Sequence, residues 1–547
     1  MTTSLRRRLA WAAALFALIS GALVMLWPVL VAPVNADQRY LYLTAPGRTG
    51  SHWLRLVTIP WHNIPTRLHE GRFDPLSEFV QFLSYTGVTN TSLATGTPEA
   101  VVQGMQKVVL VALAVLAVVL FAACLRGRTS AGALVSLDPR ALGLISAGAL
   151  LLGAAGVQAQ AQFRNGWTSY AVLTYGAVVV GLGVPALALW LSQRLVRVPR
   201  RSSVVLAVGT MVAVGVALNT AYELFYVAVP VALLALVLQP VSASARSAAG
   251  RRAKLVVGGS LLAAFAVSYV LVHALVSAET TQQYVGIKPS FGVGLLRTWW
   301  NNVASSIPGT GRAQAARDVS HAGLGGLPGP FASPLVLWCF VGGVGLLAIR
   351  LLLPRVATGA DARRAQTVAL LQAAGLAATL ALGSAAVMSV SVQAQQVIAG
   401  IGLPYRHTVV TWVGFAVAVV SLLVAADLWL TERGGIGLWA VASLLIAILG
   451  ASLLTVNFEA TRAERVSPSD QIVDSVYREI LLGDPTAAGD RRRCAAVALV
   501  NKGVGGSAYT RNQIIRGAYL VYQHRFGRPF CSTVPIPADL PYTYSSS

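Results

Sequence analysis

Residues 10–42 read AWAAALFALISGALVMLWPVLVAPVNADQRYLY, an apolar run that ends in a polar segment. The apolar part, 10–32, is long enough for an α-helix to cross a bilayer, which takes about 20 residues. Asp37 is the first acidic residue of the chain and follows this predicted span by a few residues. An ionisable group at a membrane edge is a functional-site hypothesis, because a carboxylate there can act as a general base. The alternative interpretation is a solvated carboxylate at a helix end.

The composition of the 547-residue chain is that of a membrane protein. It is 55% hydrophobic and only 11% charged, whereas soluble domains carry roughly 25% charged residues. A formal net charge of +22 would suggest a nucleic-acid partner in a soluble protein. Here the arginines gather in short loops between apolar runs, so membrane topology explains them and we expect no nucleic-acid partner.

Eleven segments are apolar and long enough to be predicted as membrane spans. They are 10–32, 107–125, 141–160, 169–192, 203–220, 222–240, 255–276, 334–354, 367–390, 409–429 and 436–455. We interpret the first as a retained helix, because no small-x-small cleavage site follows its apolar run. The sequence therefore predicts an all-α polytopic membrane protein with about 11 transmembrane helices.

The distribution of arginine orients these spans. The segments that alternate to one side are all basic: 6–8, 126–140, 194–201, 246–254, 355–364 and 433. The short connections on the other side, 161–168 and 391–408, hold only Arg164 and Arg406. Because basic loops stay inside, we expect a multi-pass protein of the cytoplasmic membrane with its N-terminus in the cytoplasm and its C-terminus outside.

Three outer segments are long: 33–106, 277–333 and the C-terminal tail, 456–547. In the first, Asp74 and Pro75 predict the N-cap and first residue of an amphipathic helix that lies on the membrane. In the tail, Cys494 and Cys531 are the only cysteines outside the spans, so we expect a disulfide within an extracytoplasmic domain. Any chemistry should lie on this outer face, because the inner loops are short.

Candidate substrate-binding residues stand at three places on the outer face. Glu223 is at the edge of a span hairpin, where an ionisable group is costly unless it is used or paired. The loop 277–333 carries Lys288, Arg297, Trp299 and Trp300. Cations beside interfacial aromatic rings suit a lipid phosphate, although an ordinary interfacial helix would look the same.

A second phosphate contact is predicted from Arg406 and His407, which open the tenth span; the alternative is ordinary interfacial anchoring. We expect a cavity bounded by 35–42 and 284–302, with Glu223 near its wall. The histidines lack metal-ligand spacing, so no metal site and no cofactor are expected.

Residues 1–333 resemble the shared module of the polytopic GT-C-type glycosyltransferases. That module has a first span, a long outer loop with juxtamembrane helices and an early acid, short loops, and a second long outer loop. Asp37, in NADQRY, matches the position of the family's catalytic acid. Additional spans, here 334–455, and an outer C-terminal domain, here 456–547, are also typical of the family.

The resemblance implies an inverting transfer of a sugar from a polyprenyl-phosphate donor to a glycan or lipid acceptor of the bacterial cell envelope. Asp37 would deprotonate the acceptor hydroxyl while basic residues hold the lipid phosphate. The family often has Asp-Asp or Asp-Glu here, and this chain has Gln38, which leaves its dependence on a divalent metal undecided.

Two other classes of function stay open from the sequence. One is a transporter or flippase of lipid-linked or small solutes, which usually has broken helices and paired charges at the bilayer midplane. The predicted spans are almost free of central charge. The other is a non-catalytic scaffold for envelope assembly, with the tail as its binding module.

Overall fold

The fold is almost entirely helical in the part of the chain that the structure, a computed structural model, describes. The described residues are 3–32, 41–43, 45–46, 54–69, 71–158, 167, 170–241, 247–279, 289–327, 329, 331–353, 359–397, 401–402, 406–466, 468–504 and 508–538. Its only named strands within these ranges, β1 (Arg126–Arg128) and β2 (Leu134–Ser136), pair as an antiparallel hairpin.

Twenty α-helices have bounds in the described ranges. They are α1 (Thr3–Leu30), α2 (Leu54–His62), α3 (Ile64–His69), α4 (Pro75–Thr95), α5 (Glu99–Cys124), α6 (Pro139–Ala155), α7 (Ala171–Arg197), α8 (Arg201–Asn219), α9 (Ala228–Leu238), α10 (Ser247–Glu279), α11 (Gly294–Ser305), α12 (Arg312–His321), α13 (Val336–Leu352), α14 (Ala360–Ser389), α15 (Val392–Val397), α16 (Thr408–Asp427), α17 (Glu432–Arg465), α18 (Pro468–Leu482), α19 (Ala487–Gly503) and α20 (Ala508–Phe526). A 3-10 helix, Glu223–Val227, leads directly into α9.

Eight helices in the described ranges are long and apolar enough to cross a membrane: α1, α5, α7, α8, α10, α14, α16 and α17. This confirms the predicted class, an all-α polytopic membrane protein. Three further predicted spans form shorter apolar helices: α6, the continuous segment 223–238, and α13. The count of eleven therefore stays a prediction.

Helix α4 begins at Pro75, the residue that the sequence predicts, but its cap differs from the prediction. The Asp74 side chain makes no capping hydrogen bond. The helix starts because Pro75 fixes a helical φ at a position that needs no N–H donor. Its apolar residues Leu76 and Leu83 are exposed, whereas Ser77 and Glu78 are buried. The polar side of α4 therefore faces the protein.

An ion network around the buried Asp427 joins one end of four helices. Asp427 at the end of α16 accepts from Arg140 Nη2 at 2.6 Å and Arg350 Nη2 at 3.0 Å. Glu432, at the start of α17, accepts from Arg350 Nη1 at 2.8 Å. Because removing one partner of a buried pair leaves an uncompensated charge, the network fixes these four helix ends together.

The opposite ends of α6 and α17 lie beside the end of α1. Asn457 Nδ2 donates to the Val157 carbonyl at 2.9 Å, and Thr461 Oγ1 donates to the Pro28 carbonyl at 3.1 Å. We call this side of the helix bundle the far end. The segment that contains Asp37 leaves α1 at the far end.

The C-terminal tail folds as α18, α19 and α20, which pack together around buried side chains. Val476, Ile480, Val500 and Tyr522 are among the buried residues of this core. The predicted disulfide is present, because Cys494 and Cys531 are bonded. The same core includes Leu43 and, from α4, Leu93, so the tail packs on the first long loop.

Candidate functional site

The end of α1 is held by two cations. Lys107, on α5, is fully buried, and its Nζ donates to the Val29 carbonyl at 2.8 Å. Arg465, at the end of α17, donates from Nη2 to the Val31 carbonyl at 2.6 Å. The last carbonyls of a helix have no partner within the helix, and cations are favoured there. The chain therefore leaves α1 from a fixed position.

The chain is fixed again at Tyr42. Its side chain is buried, and Gln103 Nε2 donates to Tyr42 Oη at 3.0 Å. Thr89 Oγ1 donates to the Tyr42 carbonyl at 2.7 Å, and the rings of Tyr42 and Tyr85 lie 4.7 Å apart. Both the backbone and the side chain of Tyr42 are thus held by α4 and α5.

Both anchors use one face of α5. Gln103 and Lys107 are four residues apart, which places them one above the other on a helix. Asp37 and Lys288 themselves lie outside the described residues. The role assigned to Asp37 therefore stays a prediction. Residues on both sides of the segment 33–40 are bound by the same face of α5.

A small pocket of about 10 Å³, room for about one water molecule, lies against Tyr42 and is partly open to solvent. Ser84 Oγ donates to Gln106 Oε1 at 3.1 Å, and Tyr85 Oη donates to Gln81 Oε1 at 3.0 Å. Among the described residues, its lining combines three tyrosines, two glutamines and a serine with the first turn of α7, without a charged side chain: Tyr42, Gln81, Ser84, Tyr85, Gln106, Tyr170, Ala171, Val172 and Leu173. We call it the tyrosine pocket.

Arg406 lies beside the tyrosine pocket. Its Cζ is 4.0 Å from the centroid of the Tyr170 ring, and its Nη1 donates to Tyr222 Oη at 3.3 Å. Tyr170 is the N-cap of α7 and has a φ of 52°, in the left-handed region that is costly for a bulky residue. A strained tyrosine of the pocket lining therefore carries a guanidinium group on its ring.

Glu223 stands next to Tyr222 at the start of the 3-10 helix. Its carboxylate interacts electrostatically with Asp74, Arg72 and Arg406. Glu223 is thus a member of the charged group around Arg406 and is not a lining residue of the tyrosine pocket.

The sequence predicts that α11 borders the cavity, but in the structure α11 packs against α14. Trp299 Nε1 donates to the Leu382 carbonyl at 3.1 Å, and Asn302 Nδ2 donates to Ser389 Oγ at 2.7 Å, both on α14. Arg297 is exposed, and Trp300 is 60% exposed. Within the described ranges these tryptophans and Arg297 do not line the tyrosine pocket, because α11 turns its polar side chains toward α14.

His407 connects the two regions. It is fully buried, and its Nε2 lies 3.1 Å from the Asn302 carbonyl of α11. The preceding residue, Arg406, turns toward Tyr170 and Tyr222. The two neighbours therefore contact different structures: Arg406 borders the pocket, whereas His407 anchors α11.

No protein-family model matches the chain, and no curated protein or solved structure matches it either. The function is therefore inferred from the chemistry of these residues.

Sequence reasoning missed the pocket residues of α4 and α5. A signal was present in QGMQK, 103–107, where two amides and an ammonium group interrupt the start of an apolar span. Polar groups at that depth are costly unless they bind a partner. In the structure, Gln103 donates to the Tyr42 side chain, Lys107 donates to the Val29 carbonyl of α1, and Gln106 lines the pocket.

Proposed function

We propose that the chain is a membrane glycosyltransferase. It transfers a sugar from a polyprenyl-phosphate donor to a glycan or lipid acceptor of the cell envelope at the outer face of the cytoplasmic membrane. The observation that carries the proposal is the tyrosine pocket, which lies against Tyr42 and next to Arg406. Asp37 precedes Tyr42 by five residues.

The donor phosphate has two sources of attraction on one side of the pocket. Arg406 can form charge-assisted hydrogen bonds to phosphate oxygens. The first turn of α7, which contributes Ala171 and Val172 to the lining, presents the positive end of a long helix. Both meet at Tyr170, so a phosphate bound there would leave the attached sugar in the pocket.

The uncharged polar side chains of the pocket lining offer hydrogen-bond partners to a sugar. Glutamine amides both donate and accept hydrogen bonds, as do serine and tyrosine hydroxyls, and sugar hydroxyls need both kinds of partner. The tyrosine rings supply apolar surface with polar edges. Because the pocket has room for about one water molecule, sugar binding requires its lining side chains to move apart.

The chemistry needs one base and one anchored leaving group. Asp37 takes the proton of the acceptor hydroxyl, whose oxygen attacks the anomeric carbon from the face opposite the phosphate. The bond between that carbon and the phosphate oxygen breaks, and its electron pair leaves on the lipid phosphate. Arg406 stabilises this charge, and configuration at the anomeric carbon inverts.

The proposal includes eleven spans, with the N-terminus in the cytoplasm and the tail outside. Residues 1–333 form the catalytic module, 334–455 the additional spans, and 456–547 the outer domain. The ion network supports this alternation, because α6 and α17 begin at the end where α13 and α16 finish. Membrane lipids cover the apolar belt.

Vesicles of defined sidedness test function and orientation together. A labelled short-chain polyprenyl-phosphate sugar and envelope acceptors are added from outside to vesicles that contain the chain. We expect labelled product in right-side-out vesicles, and product in sealed inside-out vesicles only after permeabilisation. Vesicles without the chain are the control. Uptake of label without product would support a transporter, and no product over a broad panel would support a scaffold; either result contradicts the proposal.

A further inference from the structure

Neighbouring residues after the segment 33–40 enter two different cores. Tyr42 packs with Tyr85 and Phe82 beside the tyrosine pocket. Leu43 is fully buried in the core of the tail, together with Val476 and Ile480 of α18. The tail thus holds the chain one residue away from the pocket wall.

A hydrogen-bonded path connects the tail to Tyr42. Tyr477 Oη of α18 lies 2.8 Å from Thr89 Oγ1, and Thr89 Oγ1 donates to the Tyr42 carbonyl at 2.7 Å. Because the Thr89 hydrogen goes to the Tyr42 carbonyl, the single Tyr477 hydroxyl hydrogen completes this path when it is donated to Thr89 Oγ1, and its other acceptor is Glu99 Oε1 at 3.1 Å. Burial raises the pKa of Tyr477, so its hydroxyl stays protonated and available as a donor.

We propose that the tail is an intramolecular clamp that fixes the exit of the Asp37 segment, with Tyr477 as a positioning residue. The entrance of that segment is held by Lys107 at the end of α1, and its exit by Tyr477 through Thr89 and by the burial of Leu43. The effect on transfer rests on the function proposed above. The clamp itself does not.

Hydrogen exchange of the full chain in nanodiscs tests the clamp without an activity assay. Tyr477→Phe removes one buried hydrogen bond, so we expect amides of 41–45 to exchange about 3- to 10-fold faster. Leu43→Ala removes a buried side chain and should increase exchange about 30-fold or more. Unchanged exchange at 41–45 in Tyr477→Phe would overturn the proposal, even if Leu43→Ala unfolded the tail.

Tyr519→Phe is the matched control. Tyr519 is a buried tyrosine of the tail whose hydroxyl donates to the Cys531 and Val534 carbonyls, within the tail itself. Tyr519→Phe should increase amide exchange in 531–534 and leave amide exchange in 41–45 unchanged. An equal effect of Tyr519→Phe and Tyr477→Phe on 41–45 would show general loss of tail stability and contradict a specific clamp.

Kinetics supply the second readout. If Tyr477 positions the Asp37 segment, Tyr477→Phe should lower kcat about 3- to 10-fold and leave the donor KM unchanged, since Arg406 is not moved. A merely structural tyrosine would change the amount of active protein, and the donor-binding capacity would fall in proportion to kcat. That outcome would contradict the positioning role, whereas absence of any transfer by the wild type would contradict only the proposed function.

Discussion

Replacing Asp37 by asparagine is expected to lower sugar transfer by about 10²- to 10⁴-fold, the range for loss of a general base. Asparagine keeps the shape of the side chain and removes its ability to take the acceptor proton. Donor binding and folding should stay near those of the wild type. The measurement is transfer from a labelled polyprenyl-phosphate sugar by purified protein, with donor binding followed separately.

Asp74→Asn is the control for a change of charge on the same loop. Asp74 makes no capping hydrogen bond at the start of α4, and it is outside the lining of the tyrosine pocket. We expect its variant to keep at least about half of the wild-type rate, because asparagine has the same size and Asp74 neither caps α4 nor lines the pocket. Full activity in Asp37→Asn would remove the catalytic assignment.

Replacing Arg406 by glutamine is expected to raise the donor KM by about 10- to 100-fold, with a smaller change in kcat. Hydrogen bonds to a charged group contribute about 1.5–3 kcal/mol, and the guanidinium group lies on the ring of Tyr170, which lines the pocket. Arg406→Lys should recover part of the loss, because it restores the charge without the planar fork.

Arg297→Gln is the matched comparison. The sequence predicts Arg297 as a phosphate contact, whereas the structure leaves it exposed on α11 and outside the pocket lining. We expect its donor KM to change less than about twofold, since exposed charges contribute little. A larger effect of Arg297→Gln than of Arg406→Gln would place the donor phosphate at α11 and contradict this site.

The membrane class could be predicted because it depends on the length and composition of single segments. Each long apolar run forms a helix whatever its neighbours are, and Pro75 starts α4 because its own φ is fixed. The pairing of Cys494 with Cys531 followed from having only two cysteines outside the spans. None of these inferences requires knowledge of which helices touch.

The site depended on which face each helix turns inward, which the sequence does not determine. Trp299 and Trp300 are adjacent on α11, yet one donates to the α14 backbone and the other is exposed. An amphipathic helix on the membrane is expected to turn its polar side to water. In the structure, the polar side of α4 instead carries Gln81, Ser84 and Tyr85 of the pocket. Their partners come from distant parts of the chain.

Counting arginines in loops also does not show which of them are buried by contact with another helix. Arg140 belongs to a basic segment that orients the spans, and the pattern treats it as a solvated loop residue. In the structure it is buried against Asp427 of α16. A rule that counts arginines predicts the side of the membrane, and it does not distinguish a loop charge from a structural ion pair.

Photoaffinity labelling with a donor analogue tests the central claim most directly. A polyprenyl phosphate with a photoreactive group next to the phosphate is bound to the purified chain, irradiated, and the labelled peptides are identified with and without excess unlabelled donor. We expect competed labelling in peptides that contain Tyr42, Tyr85, Gln106, Tyr170 or Arg406. Competed labelling confined to α11, or none that competes at the tyrosine pocket, would contradict it.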